Sequence, residues 1–125
     1  MRKSLNPGVS RCEEFEQLGI DVYAAIPITG DRASASGKSK KNANQTTLAA
    51  QRPANPAVEA IRALRASLHF AMAASNSKVV MVTGPTMGVG KSFITSNLAT
   101  VCAQAGKRVL LIDADMRRGL LHEQF

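Results

Sequence analysis

The sequence predicts an α/β fold: a βαβ unit of a parallel sheet flanked by helices. Three observations predict it. Lys78 to Thr83 (Lys-Val-Val-Met-Val-Thr) is a short, continuous, β-branched run, the pattern of a strand buried on both faces. Ser92 to Ala105 carries Phe93, Ile94, Leu98, Val101 and Cys102 at helical spacing, with Gly106 as a left-handed stop. Val109 to Ile112 is a second apolar run that ends at Asp113. Strand, glycine-rich loop, helix, glycine stop and strand in this order make parallel strands joined by a crossover helix.

The elements before this unit follow from local chemistry. An acidic cluster, Glu13-Glu14-Phe15-Glu16, precedes Leu18-Gly19-Ile20 and an expected strand from Asp21 to Pro27. Pro27 closes that strand because it cannot donate to a ladder. Residues 30–54 are Ser, Ala, Asn, Lys and Gln with almost no large apolar side chain, and are expected to be a basic, mobile linker that cannot offset its ordering entropy. Asn55-Pro56 then starts a helix, with a capping side chain followed by Pro at the first helical position. Val58, Ile61, Leu64, Leu68 and Met72 form its apolar stripe, and Ser75-Asn76-Ser77 ends it.

Composition narrows the partners. The chain of 125 residues carries a net charge of +7, which suits an anionic partner such as a nucleotide, a nucleic acid or an anionic membrane surface. From Gly30 to Pro56 five basic residues (Arg32, Lys38, Lys40, Lys41, Arg52) face one acid, Asp31, so much of the charge sits in the linker. Aromatic residues make up only 4%, with no Trp and one Tyr, Tyr23, which argues against a nucleic-acid reader that stacks bases. Cys12 and Cys102 are far apart and form no Cys-x-x-Cys pair; they read as reduced thiols, neither nucleophile nor metal ligand. No window approaches the roughly 20 apolar residues that span a bilayer. The basic Met1-Arg2-Lys3-Ser4 start has no apolar stretch after it, so no signal peptide is expected.

The glycine loop carries the chemistry. It reads Gly84-Pro85-Thr86-Met87-Gly88-Val89-Gly90-Lys91-Ser92. Gly88 and Gly90 allow backbone angles that turn successive N–H groups toward phosphate oxygens with no Cβ in the way. The helix that follows aims its unsatisfied N–H groups and positive dipole end at the same anion. Lys91 supplies a full charge to the β and γ phosphates, and Ser92 a hydroxyl to Mg²⁺. Gly88, Val89, Gly90, Lys91, Ser92 and Phe93 are therefore the expected contacts to the phosphates of a nucleoside triphosphate. A Walker loop usually has Gly where Pro85 stands, which makes Gly84, one step earlier, the weaker candidate. The plain alternative is a glycine-rich turn with an incidental lysine; the strand before and helix after favour the phosphate loop.

Asp113-Ala114-Asp115-Met116-Arg117 puts two carboxylates and an arginine at the carboxyl end of a strand, where open α/β sheets bind ligands. Asp113 and Asp115 there can orient Mg²⁺ or accept a proton from an attacking hydroxyl. Alone they fit a turn that caps the next helix just as well. Beside the phosphate loop they read as site residues.

The combination of Gly-x-Gly-Lys-Ser and a strand ending in Asp-x-Asp-x-Arg resembles the Walker A and A′ motifs of bacterial tyrosine kinases. These are P-loop kinases that regulate capsule and exopolysaccharide export. Glu59-Ala60-Ile61-Arg62-Ala63-Leu64-Arg65 resembles their Glu-x-x-Arg-x-x-Arg helix, so Glu59, Arg62 and Arg65 are implied to mediate ring-like self-association. From the residues alone, the same three charges fit a solvated face. Leu18 to Pro27 resembles the segment that joins the second membrane helix to the kinase domain. The resemblance implies a juxtamembrane-like segment at 1–29 and the N-terminal half of a P-loop kinase domain at 55–125. It also implies Mg·ATP as cofactor, protein tyrosines as substrates and no nucleic acid. Lys91, Asp113 and Asp115 would be catalytic, and Ser92, Asp113 and Asp115 would hold the metal. In the full-length protein it implies a membrane-embedded polysaccharide co-polymerase part, at the cytoplasmic face of the inner membrane. The family's later Walker B strand and tyrosine cluster have no counterpart in these residues. The chain is accordingly expected to be a truncated fragment, with little or no kinase activity alone.

Two other readings remain open. Partitioning and cell-division-positioning ATPases share the run Gly-Lys-Ser-x-x-x-x-Asn-Leu-Ala that ends at Ala99, but carry a lysine where Thr86 stands and lack the arginine found at Arg117. A basic interaction module built on Arg32 to Arg52 would bind anionic membranes independently of Lys91.

Overall fold

A computed structural model describes residues 11–29, 47–75, 77–117, 119 and 121–125. The Met1-Arg2-Lys3-Ser4 start, Arg32, Lys38, Lys40 and Lys41 lie outside the described residues. Four helices and a 3₁₀ turn make up the regular structure there: α1 (Cys12–Glu16), α2 (Leu48–Gln51), α3 (Pro56–Ser75), α4 (Lys91–Gln104) and the turn Leu121–Gln124.

Each long helix begins and ends on the expected residues. The Asn55 side chain accepts from the Ala57 N–H at 2.9 Å, which satisfies one orphan donor at the start of α3. Helix α4 ends at Gly106, whose φ is 76°. Gly106 N–H donates to Ala103 and Lys107 N–H to Cys102, the paired bonds of a Schellman stop. Helix α1 ends the same way: Gly19 and Ile20 donate back to Glu16 and Phe15.

Helix α3 lays its stripe against α4, and α2 packs on α4 as well. Ala49, Val58, Ile61, Leu98 and Val101 form the buried cluster, with Ile26, Leu48, Leu68, Phe93, Ile94 and Cys102 around it. Full burial of a side chain such as Ile61 contributes about 1.5–3 kcal/mol. Burial raises the Cys102 thiol above its ordinary range, against a weaker opposing pull from the Arg65 guanidinium. Cys12 and Cys102 are both free thiols.

Two expectations are corrected. Asp21 to Pro27, Lys78 to Thr83 and Val109 to Ile112 form no strands; among the described residues there is no β-ladder. Burial still alternates from residue to residue along 21–26 and 110–113, the period of an extended chain. Composition specifies that extended path, but a strand also needs partners for its N–H and C=O groups, and no described segment supplies them. The second correction concerns the linker expected at 30–54: residues 47–51 are ordered against the core, with Ala49 and Thr47 buried. Side chains of α4 hold this stretch in place, which its own small-residue composition did not reveal.

Candidate nucleotide site

The loop from Gly84 to Gly90 takes the backbone turns that its glycines permit. Gly88 has φ 74° and Gly90 φ 96°, both in the region that L side chains rarely adopt. Gly90 is the residue that caps α4, and having no side chain it leaves the first-turn N–H groups of Lys91, Ser92 and Phe93 without a side-chain acceptor. Such a turn, with its dipole behind it, is a ready anion site. The Gly90 carbonyl accepts from Ile94 at 2.9 Å, so the helix is hydrogen-bonded from its first turn.

Gly84 has a different task from Gly88 and Gly90. A Cβ on it would lie 2.8 Å from the Val89 side chain and 3.4 Å from the Lys91 stem. The loop therefore folds back over its own entry, and a larger residue at Gly84 would require the Val89 side chain to move. The Lys91 ammonium donates to the Thr86 carbonyl at 3.1 Å, spanning the mouth of the loop. Ser92 is exposed at the start of α4, and Phe93 turns its ring into the core. Of Phe93, the N–H is thus the group left to face an anion.

Asp113 and Asp115 are brought together by a pair of side-chain turns. Asp113 Oδ1 accepts from the Asp115 N–H at 3.1 Å, and Asp115 Oδ1 accepts from the Arg117 N–H at 3.1 Å. Asp113 Oδ2 accepts from the Leu121 N–H at 3.1 Å, opening the 3₁₀ turn. Asp113 thus performs the capping role that the residues alone allowed. A Cβ on Gly119 would approach Asp113 Oδ2 to 3.0 Å, so glycine there leaves room for the carboxylate. The buried Leu121 seats this turn against α4, tying the acidic loop to the phosphate-loop helix. Lys91 is bonded to Thr86 and Asp113 to Leu121; neither bonds to the other.

In the charged ridge on α3, Arg65 turns toward α4, while the contacts of Arg62 and Glu59 are exposed. Arg62 donates to the Pro53 carbonyl at 2.8 Å and pairs with Glu59. Arg65 donates to the Val101 carbonyl at 3.2 Å, in the last turn of α4 where a cation suits the dipole. Glu59 remains exposed.

Sequence reasoning missed the polar stripe of α4. Ser96 and Asn97 are buried beside Leu98. Asn97 Oδ1 accepts from the Ala49 N–H and its Nδ2 donates to the Phe93 carbonyl, both at 2.7 Å. The one visible signal was the asparagine in the run ending at Ala99. Among the described residues, no group of three His, Cys, Asp or Glu side chains converges on a point that could hold a metal. No described helix is long and apolar enough to cross a membrane.

Comparison with known proteins separates the readings. Residues 80–124 match the CobQ/CobB/MinD/ParA nucleotide binding domain, a family model broad enough to include both the kinase and the partitioning readings. The tyrosine-protein kinase Etk of Escherichia coli is 45% identical over 134 residues, covering 99% of this chain and 18% of Etk. The solved BceF tyrosine kinase domain superposes with a TM-score of 0.84 at 41% identity, over 95% of this chain and 50% of that one. The solved kinase domain of Etk gives 0.80 at 46% identity, over 93% of this chain and 45% of its own. The chain thus spans half or slightly less of the solved kinase domains and under a fifth of Etk. With likeness at this level along nearly its whole length, it belongs to the bacterial tyrosine-kinase family, as part of the kinase domain.

Proposed function

We propose that this chain supplies the ATP-binding part of a protein-tyrosine kinase that acts in capsule or exopolysaccharide export. The observation that carries the reading is the loop with left-handed Gly88 and Gly90 running straight into an α4 whose first turn Gly90 leaves uncapped. ATP phosphates would lie on the N–H groups of Gly88 to Phe93. Lys91 would leave the Thr86 carbonyl for the β and γ phosphates and stabilise the transferred charge. Asp113 or Asp115 would take the proton of the attacking tyrosine hydroxyl.

Mg²⁺ suits the donors available. Ser92 offers a hydroxyl, and each Asp113 oxygen accepts one N–H while keeping further lone pairs; all are the hard oxygen ligands that Mg²⁺ prefers. Ser92, Asp113 and Asp115 would hold it, and it would neutralise charge on the phosphates. Residues 78–83 and 109–112 would be parallel strands once paired. Glu59, Arg62 and Arg65 would contribute to ring-like self-association, at the cytoplasmic face of the inner membrane in a full-length protein.

Calorimetry with Mg·ADP tests the site. Measurable heat is expected for the native chain, with a loss of affinity of about tenfold or more in Lys91→Ala, the loss of one charge-assisted contact. Equal binding by the two proteins would sink the assignment.

A further inference from the structure

The segment 47–51 is held on α4 in a way that its own sequence does not explain. Helix α2 has four residues, too few to be stable by itself. Its grip comes from one stripe of α4. Asn97 accepts from the Ala49 N–H at 2.7 Å, and Gln104 donates to the Ala49 carbonyl at 3.3 Å. Between them Thr100 and Thr47 share a hydroxyl bond of 2.8 Å. Both backbone groups of a fully buried alanine are therefore satisfied by side chains of the phosphate-loop helix.

Asn97 stands out among these because it reaches both ways. Its amide also donates to the Phe93 carbonyl at 2.7 Å, in the first turn of α4. Phe93 belongs to the turn whose N–H groups face the loop mouth. Asn97 is only 2% exposed, so water cannot replace either bond at low cost. One side chain thus spans the docked segment and the turn that would receive phosphates.

We propose that Asn97 is a positioning residue for the nucleotide site, coupling the docking of residues 47–51 to the binding of phosphates at Gly88 to Ser92. The inference rests on the nucleotide-binding reading above. Linkage makes the coupling reciprocal: phosphates that order the first turn of α4 tighten the hold on Ala49, and release of Ala49 loosens the first turn. Residues 47–51 continue directly from the basic stretch 30–46, so a partner that pulls on that stretch would act on the site through Asn97.

Hydrogen exchange and calorimetry on the full chain test this together. Mg·ADP is expected to slow exchange of the Ala49 amide in the native protein. Asn97→Ala is expected to speed that exchange and weaken Mg·ADP by about fivefold or more, the lower range of measured couplings. Asn97→Asp adds a readout that a purely structural role would not move. Its ionised carboxylate can accept from Ala49 but cannot donate to Phe93, and burial raises its pKa. Its affinity, relative to the native chain at each pH, should therefore recover as pH falls and the carboxyl takes up its proton. Native affinity in Asn97→Ala with a fast-exchanging Ala49, or a pH profile like the native one, overturns the coupling. If Asn97→Ala does not fold, the double variant Thr100→Val/Gln104→Leu releases the other two grips, and unchanged ADP affinity there overturns it equally. Absence of heat in the native chain would instead remove the nucleotide reading, and the coupling with it.

Discussion

At the scale of single residues, the glycines of the loop divide into two kinds that look alike in sequence. Gly88 and Gly90 are required by their backbone angles, with open space where a Cβ would go. Gly84 is constrained by contact, because a Cβ there would press on the Val89 side chain. The distinction has a measurable consequence. Gly90→Ala is expected to cost about 1–2 kcal/mol, the strain of a left-handed L-residue, since no neighbour is displaced. Urea unfolding would read that loss, and a stability equal to the native protein would show that the loop adopts other angles in solution. The positions of these residues were legible from their order alone, since phosphate loops depend on local backbone geometry. That an aspartate here could cap a following turn was legible, but Leu121 as the partner of Asp113 was not, because it depends on where that turn comes to rest.

The two long helices, with the Asn55 cap and the Gly106 stop, were legible for a physical reason: such features depend on neighbours within about four residues in sequence, whereas the short helices at 12–16 and 48–51 were not foreseen. Asn55, Gly106 and the Ile61 stripe all sit within that range. Strands and docked segments depend on distant partners. The runs at 78–83 and 109–112 therefore form no ladder among the described residues, while 47–51 gained order that its composition does not suggest. The charged ridge of α3 lies between these cases. Spacing put Glu59, Arg62 and Arg65 on one face, but Arg65 bends toward the end of α4. Its role within the chain can be separated from any role between chains. Arg65→Ala is expected to destabilise the monomer by about 1 kcal/mol, through loss of a partly buried bond to Val101. Glu59→Ala removes only an exposed pair and is expected to stay within about 0.5 kcal/mol of the native chain. Denaturation at low protein concentration, where association is absent, would compare them; equal losses would contradict the inward reading of Arg65.

For the molecule as a whole, the exposed apolar surface is the dominant physical fact. Val79 and Met81 are 83% and 84% exposed, and Leu110 and Ile112 are 84% and 71% exposed. Val80 and Val109 beside them are each 44% exposed, so each run presents several apolar side chains to solvent beside unladdered backbone. Isolated exposed apolar residues are common, but runs of this kind invite strand addition and association. The 125-residue chain expressed by itself is accordingly expected to self-associate as its concentration rises, and to bind a hydrophobic dye. Placing a charge in each run, as in Met81→Lys/Leu110→Lys, should suppress both effects while leaving the α3–α4 core intact, because neither side chain belongs to that core. Sedimentation velocity across a concentration series would decide it. A native chain that stays monomeric, or a double variant that associates as strongly, would show that these runs are not where the molecule meets its partners.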